Sequence, residues 1–191
     1  MKLFLIRHGE SEANLAFCYA GQSDTKLTEK GREQAAKIRP VLSSISFDRV
    51  YSSDLSRAVD TQEIAIPGVE GIQTPLLREF DVGTLVGRDY VSFEKTAMET
   101  ITKKRDYTEY GGESADMVCD RLKKFLSQLE ENPCENVAAF AHNGVLICML
   151  RNVIGTAFDY SSVRSGNCAI HVFDYVGGKW RLLAWNYKGD V

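Results

Sequence analysis

The feature that most limits the fold is a pattern that occurs twice. Leu3-Phe4-Leu5-Ile6 is a run of four apolar residues that stops at Arg7-His8-Gly9, and Asn136 to Ala141 is a second such run that stops at His142-Asn143-Gly144. Both alternating faces of the first run, Leu3/Leu5 and Phe4/Ile6, are apolar, which suits a strand covered on both sides. Each run is followed by a glycine and then by helix-compatible sequence. Strands of this kind belong to parallel sheets, which bind ligands beyond the carboxyl ends of their strands, where helix N-termini leave N–H groups to meet anions.

The rest of the chain supplies the intervening elements. Ser11 can cap a helix over residues 10–17 that carries Asn14 in its first turns. There Asn14 either faces the same edge as His8 or satisfies local backbone. Gly21-Gln22-Ser23-Asp24 is a turn cluster, and Thr28 caps a helix whose buried stripe is Ala35, Ile38 and Leu42. Pro40 is expected to bend or end it. Phe47 to Ser52 reads as a strand, with Ser53 and Asp54 suited to start a helix reaching about Ala65.

Arg57 falls in that helix's first turn, where the macrodipole disfavours a cation. A phosphate ligand accounts for it better than helix stabilisation, the alternative being a surface arginine reaching solvent. Gly71 to Leu77 is a brief extended segment leading to Arg78-Glu79-Phe80-Asp81, and Gly83 and Gly87 make the following stretch a loop. Residues 88–110 are the most polar part, yet Tyr90, Phe93, Ala97 and Ile101 keep helical spacing. They form either a helical insert shading the site or a solvated excursion.

Ser114 caps a strong helix to about Asn132, with Val118, Leu122, Phe125 and Leu129 facing the core. Val145 to Ile154 is the helix after the second histidine. Cys168 to Tyr175 and Lys179 to Asn186 flank Val176-Gly177-Gly178, a hairpin signal, and His171 within it reads as structural or exposed. No repeat and no low-complexity linker divides the 191 residues, which fit one domain over 1–191.

Net charge −3 and pI near 5.7 argue against a dedicated nucleic-acid binder, which usually shows a basic excess or stripe, and leave room for a local positive pocket. Cys18, Cys119, Cys134, Cys148 and Cys168 are odd in number and never spaced as C-x-x-C, so they read as reduced, mostly buried thiols. The N-terminus is too short in apolar residues for a signal peptide, no run is long enough to span a membrane, and a cytoplasmic location is the expectation.

Two histidines, two arginines and one carboxylate at strand ends and helix starts have a definite chemistry. Guanidinium forks match phosphate oxygens and stay charged, so Arg7 and Arg57 are expected to hold a phosphoryl group. His8 is the expected nucleophile, with its second ring nitrogen donating to a fixed acceptor such as a backbone carbonyl near Gly9. His142, as a protonated donor, is expected to join the arginines in stabilising the equatorial oxygens. Glu79 is the expected acid for the leaving group and later base for water, provided it lies beside His8; Asp81 is the reserve. No metal or cofactor is required, because cationic side chains supply the charge.

The same residues carry a resemblance. Leu-Ile-Arg-His-Gly-Glu-Ser-Glu-Ala-Asn at 5–14 resembles the signature of the histidine phosphatase superfamily, in the branch that includes cofactor-dependent phosphoglycerate mutases. The likeness continues in order through Leu27-Thr28, Gly31, Gln34-Ala35, Ser52-Ser53-Asp54-Leu55, Arg57-Ala58, Thr61, Leu77-Arg78-Glu79-Phe80, Gly83, Gly112-Glu113-Ser114, Ala141-His142-Asn143-Gly144 and Asn167. It implies a three-layer α/β/α sandwich with a mostly parallel central sheet and a phosphohistidine on His8. It implies phosphate contacts from Arg7, Arg57, His142 and Asn14, and it places Gln22 or Ser23 near the substrate.

Where the family's mutases carry a Glu-Arg-His-Tyr-Gly type segment, this chain has Glu79-Phe80-Asp81-Val82-Gly83, similar to the phosphatases. The expected activity is therefore metal-independent hydrolysis of small phosphorylated metabolites. A phosphoglycerate mutase and a non-catalytic phospholigand-binding module are the alternatives. Two positions depart from the family. Thr84-Leu85-Val86-Gly87 lacks the glutamate often found there, and Asn143 replaces a small glycine, so its amide either adds a phosphate contact or crowds the pocket.

Overall fold

The computed structural model describes residues 1–92, 101, 104–155, 163 and 165–189. Its centre is a six-stranded sheet built from β1 (Lys2–Arg7), β2 (Arg49–Ser52), β3 (Ile72–Gln73), β4 (Asn136–Ala141), β5 (Ile170–Val176) and β6 (Lys179–Tyr187), in the order β3-β2-β4-β1-β5-β6. The four strands from β3 to β1 run parallel, and β5 and β6 add an antiparallel edge. The sheet is thus mostly parallel, with helices α1 (Glu12–Leu15), α2 (Glu29–Ser43), α3 (Ser56–Ala65), α4 (Ala115–Glu131) and α5 (Asn143–Ile154) around it.

Alternation along the central strands divides the core in two. Leu3, Leu5, Val137, Ala139 and Ala141 pack with Val118, Leu122 and Phe125 of α4 and Leu146 and Met149 of α5. Phe4, Ile6, Ala138 and Phe140 pack on the other face with Val50, Leu42 of α2 and Ala65 of α3. Helices on both faces make three layers.

Register decides what reaches the carboxyl edge. β1 and β4 are parallel with Arg7 opposite Ala141, so the next residues, His8 and His142, leave the sheet side by side. The His8 N–H donates to the Ala141 carbonyl at 3.0 Å. β2 joins the same edge, with Ser52 opposite Phe140 and the Ser53 N–H on the Phe140 carbonyl at 2.8 Å. That delivers the first turn of α3, and Arg57 with it.

Several boundaries differ from the sequence expectation. α2 runs through Pro40 to Ser43. Pro40 and Ala36 are both exposed, so the carbonyl deprived of its partner faces solvent rather than core. α3 begins at Ser56 after Leu55, which makes no side-chain cap; Asp54 instead pairs with Arg78. α1 is a single turn, capped reciprocally by Ser11 and Asn14. Most of the core of the 88–110 insert, residues 93–100, 102 and 103, lies outside the described residues. Around it, Asp89 bridges Cys18 and Asp106 bridges Ser114. The hairpin turn falls at Gly177 and Gly178, with φ of 60° and 77°, values at which a side chain would be strained.

Candidate active site

At the carboxyl edge lies a cavity of about 270 Å³ lined by, among others, Arg7, His8, Asn14, Arg57, Glu79 and Asn143. These come from β1, α1, α3, the loop after Leu77 and the first turn of α5, so only the folded chain assembles them. His8 is 4% exposed and His142 is fully buried beside it, with ring centroids 5.1 Å apart.

The His8 ring is held in one tautomer. Its Nδ1 lies 2.6 Å from the Gly9 carbonyl, which can only accept, so Nδ1–H donates and Nε2 keeps its lone pair. The Gly9 N–H donates to Thr61 Oγ1 at 3.0 Å, and Thr61 in turn donates to the Arg57 carbonyl at 2.6 Å. The loop that carries His8 and the helix carrying the second arginine are thereby joined.

Arg57 is 1% exposed and its Nη1 and Nη2 donate to the carbonyls of Ser23 (2.9 Å) and Gly21 (2.8 Å). Arg7 donates to the Ser165 carbonyl, while its Nε is buried without a partner among the described residues. Burial lowers both guanidinium pKa values and the charge of Glu79 opposes that fall; arginine stays charged regardless. Both ring nitrogens of His142 are likewise buried without a partner among the described residues; His142 does not line the cavity but lies directly behind His8. An unpaired Arg7 Nε–H beside a cavity with two guanidinium groups fits a tetrahedral dianion.

His142 is held neutral in the absence of an anion. Burial first, then the charges of Arg57, His8, Arg121 and Arg7, push its pKa well below the usual imidazole range. In the unliganded site it is neutral, and only a bound anion can bring the proton on. His8 is held neutral by burial, Arg57 and Arg7, the form a nucleophile needs.

Glu79 lines the cavity, and its carboxylate accepts from the Phe80 N–H (2.9 Å) and from the Gly144 N–H (3.2 Å) in the first turn of α5. Asp81 instead turns back to accept from the Gly83 N–H at 2.8 Å and is not among the lining residues. Asn14 serves both expectations: its Oδ1 accepts from the Ser11 N–H (3.2 Å) and from Asn167 Nδ2 (3.1 Å), and the residue lines the cavity.

Gln22 and Ser23 do not line the cavity. Gln22 Nε2 donates to the Glu79 carbonyl (3.2 Å) and Glu113 Oε2 (3.4 Å), and the Ser23 hydroxyl donates to the Ala20 carbonyl (2.6 Å). Their tie to the site is indirect, through Glu79 and through the carbonyl that holds Arg57. Tyr19, Phe80, Tyr90, Arg105 and Tyr107 also line the cavity, though none was singled out as a site residue in the sequence. Tyr90, Arg105 and Tyr107 belong to the 88–110 stretch read as able to shade the site, and Phe80 follows Glu79 directly; Tyr19 carries no such signal. His171 is structural: fully buried, it accepts from the Asn186 N–H at Nδ1 (3.3 Å), so Nε2–H donates to Ser165 Oγ (2.8 Å). Among the described residues no three His, Cys, Asp or Glu side chains converge as a metal site, and no helix is long and apolar enough to cross a membrane.

A neutral, oriented imidazole beside two buried guanidinium groups, at the edge of a mostly parallel three-layer sheet, defines a phosphoryl-binding α/β protein. The profile of the histidine phosphatase superfamily (branch 1) matches residues 3–188, and the chain belongs to that family. Among curated relatives, a protein of Photorhabdus laumondii named "Probable phosphoglycerate mutase GpmB" is 32% identical over 201 residues, covering 100% of this chain and 94% of that protein. Among solved structures, a mycobacterial glucosyl-3-phosphoglycerate phosphatase is 26% identical with TM-score 0.85, covering 98% of this chain and 99% of that one. An alpha-ribazole phosphatase from Shigella flexneri is 26% identical with TM-score 0.84, covering 98% and 96%.

Proposed function

We propose that the chain is a phosphoric monoester hydrolase acting in the cytoplasm on small phosphorylated metabolites through a phosphohistidine on His8, without a metal or organic cofactor. The observation that carries this reading is the 2.6 Å contact of His8 Nδ1 with the Gly9 carbonyl, which leaves Nε2 as nucleophile in a ring that opens on the cavity. The phosphoryl group sits between Arg7 and Arg57, with His142 gaining a proton as the dianion enters. Asn14 and Asn143, both lining the cavity, add amide contacts to the ester.

His8 Nε2 attacks phosphorus, the P–O bond to the alcohol breaks, and Glu79 gives its proton to the departing oxygen. Glu79, now a carboxylate, takes a proton from water, which attacks phosphorus, and phosphate leaves as His8 returns to its neutral form. In this reading residues 1–191 are one domain, and the helical insert at 88–110 shades the mouth, to which Tyr90, Arg105 and Tyr107 contribute.

Phosphoglycerate mutase is the second reading, favoured by the name of the 32% identical relative. A mutase must hold its product while the phosphoenzyme turns back on it, whereas a hydrolase needs only to admit water. Purified protein given 3-phosphoglycerate, other phosphorylated acids, sugars and nucleotides separates the two. Release of inorganic phosphate is expected; isomerisation that depends on a bisphosphoglycerate primer, without net release, would overturn the hydrolase.

A further inference from the structure

Glu79 lies in a segment with no ladder of its own, between 3-10 turns at Pro75–Leu77 and Gly83–Leu85. A proton donor there must still hold hydrogen-bond geometry to the leaving oxygen. Its backbone is fixed by side chains from elsewhere. The Glu79 carbonyl accepts from Arg121 Nη2 at 2.9 Å and from Gln22 Nε2 at 3.2 Å. Arg121 Nη1 holds the Leu76 carbonyl at 3.0 Å, just before the segment. On the other side, the Asp81 N–H donates to Glu113 Oε2 at 2.8 Å, and the Glu113 N–H donates back to the Asp81 carbonyl at 2.8 Å.

Arg121 and Glu113 are themselves a forked pair, Nε to Oε1 at 3.0 Å and Nη2 to Oε2 at 3.1 Å, with side chains only 14% and 16% exposed. A half-buried forked pair of this kind is directional as well as attractive. Arg121 lies on α4, more than forty residues from Glu79, and no cavity-lining atom belongs to either partner. Its four bonds are therefore spent on the geometry of the loop and none on the ligand.

We propose that the Arg121–Glu113 pair, assisted by Gln22, is the positioning device for the Glu79 proton donor, so that its loss impairs departure of poor leaving groups more than departure of good ones. This rests on the assignment of Glu79 made above. An alkoxide must be protonated as it leaves, while a nitrophenolate needs no proton. A staple that merely held the fold together would affect both esters alike.

The test compares kcat/KM for an alkyl phosphate and for 4-nitrophenyl phosphate, since that ratio reports the first phosphoryl transfer. Arg121→Met and Glu113→Gln are expected to lower the alkyl-to-aryl ratio about tenfold or more, Arg121→Lys to fail to restore it, and Arg121→Met to add nothing in a Glu79→Gln background. If Arg121→Met does not yield folded protein, Gln22→Leu, which deletes one donor to the same carbonyl, carries the comparison. Equal losses with both esters, or a full additional loss on top of Glu79→Gln, would overturn the clamp alone. A ratio unchanged by Glu79→Gln would remove the assignment of Glu79 and the clamp with it.

Discussion

His8 and His142 stand 5.1 Å apart between ring centroids, both buried and both facing two guanidinium groups. In the absence of an anion neither can hold a proton at neutral pH.

That has a consequence for stability. His8, His142 and His171 all have folded pKa values below the unfolded value of about 6.5, His171 at about 3 through burial and then Arg7. Below that pH the unfolded chain binds more protons than the folded one, so stability is present above about 6.5 and is lost as pH falls. Moving from pH 7.5 to 5.5 should cost about 1.4 kcal/mol for each of the three histidines. Urea unfolding at the two values measures this, and equal stability would mean that the imidazoles charge inside the fold.

The strands that carry these histidines were legible in sequence because both their faces are apolar, as Leu3 to Ile6 and Val137 to Ala141 are. Their adjacency was not, since the pairing of Arg7 with Ala141 joins segments far apart in the chain and periodicity is a local signal. The resemblance places Gln22 or Ser23 near the substrate; their ties to the site run through the Gln22 amide on the Glu79 carbonyl and the Ser23 carbonyl on Arg57, and a backbone group such as the latter leaves no mark in residue type. The neutral state of His142 without an anion was not legible for a similar reason: burial and its neighbours' charges are set by packing. Tyr19, Arg105 and Tyr107 lie in loops whose convergence depends on tertiary structure alone.

Gly31 tests the packing beneath the His8 loop. It lies in the first turn of α2, and a Cβ there would stand 2.1 Å from the Glu10 carbonyl oxygen. Helix propensity favours Gly31→Ala by about 1 kcal/mol, but the obstacle is backbone and cannot rotate away. A net destabilisation of about 2 kcal/mol is expected, read as a fall in Tm. A Tm at or above wild type would show that the two segments have room.

At Gly144 packing and the carboxylate are coupled. A Cβ there would meet Glu79 Oε1 at 2.2 Å, which can swing away, and Phe80 ring carbons at 2.4 and 2.5 Å, which are held in the core against Tyr107. Gly144→Ala should therefore lower Tm through about 1–3 kcal/mol of overpacking and lower kcat/KM for an alkyl phosphate by about tenfold to a hundredfold, as the carboxylate leaves the Gly144 N–H. Unchanged turnover would argue against a role for Glu79 in that position.

The central claim is that His8 carries the phosphoryl group. Rapid acid-free quenching of the enzyme with a 32P-labelled phosphomonoester, followed by peptide mapping, tests it directly. Label is expected on His8 of the wild-type protein, stable to alkali and lost in acid, with neither label nor phosphate release from His8→Ala. Undiminished release of phosphate by His8→Ala, or label on another residue, would contradict the account.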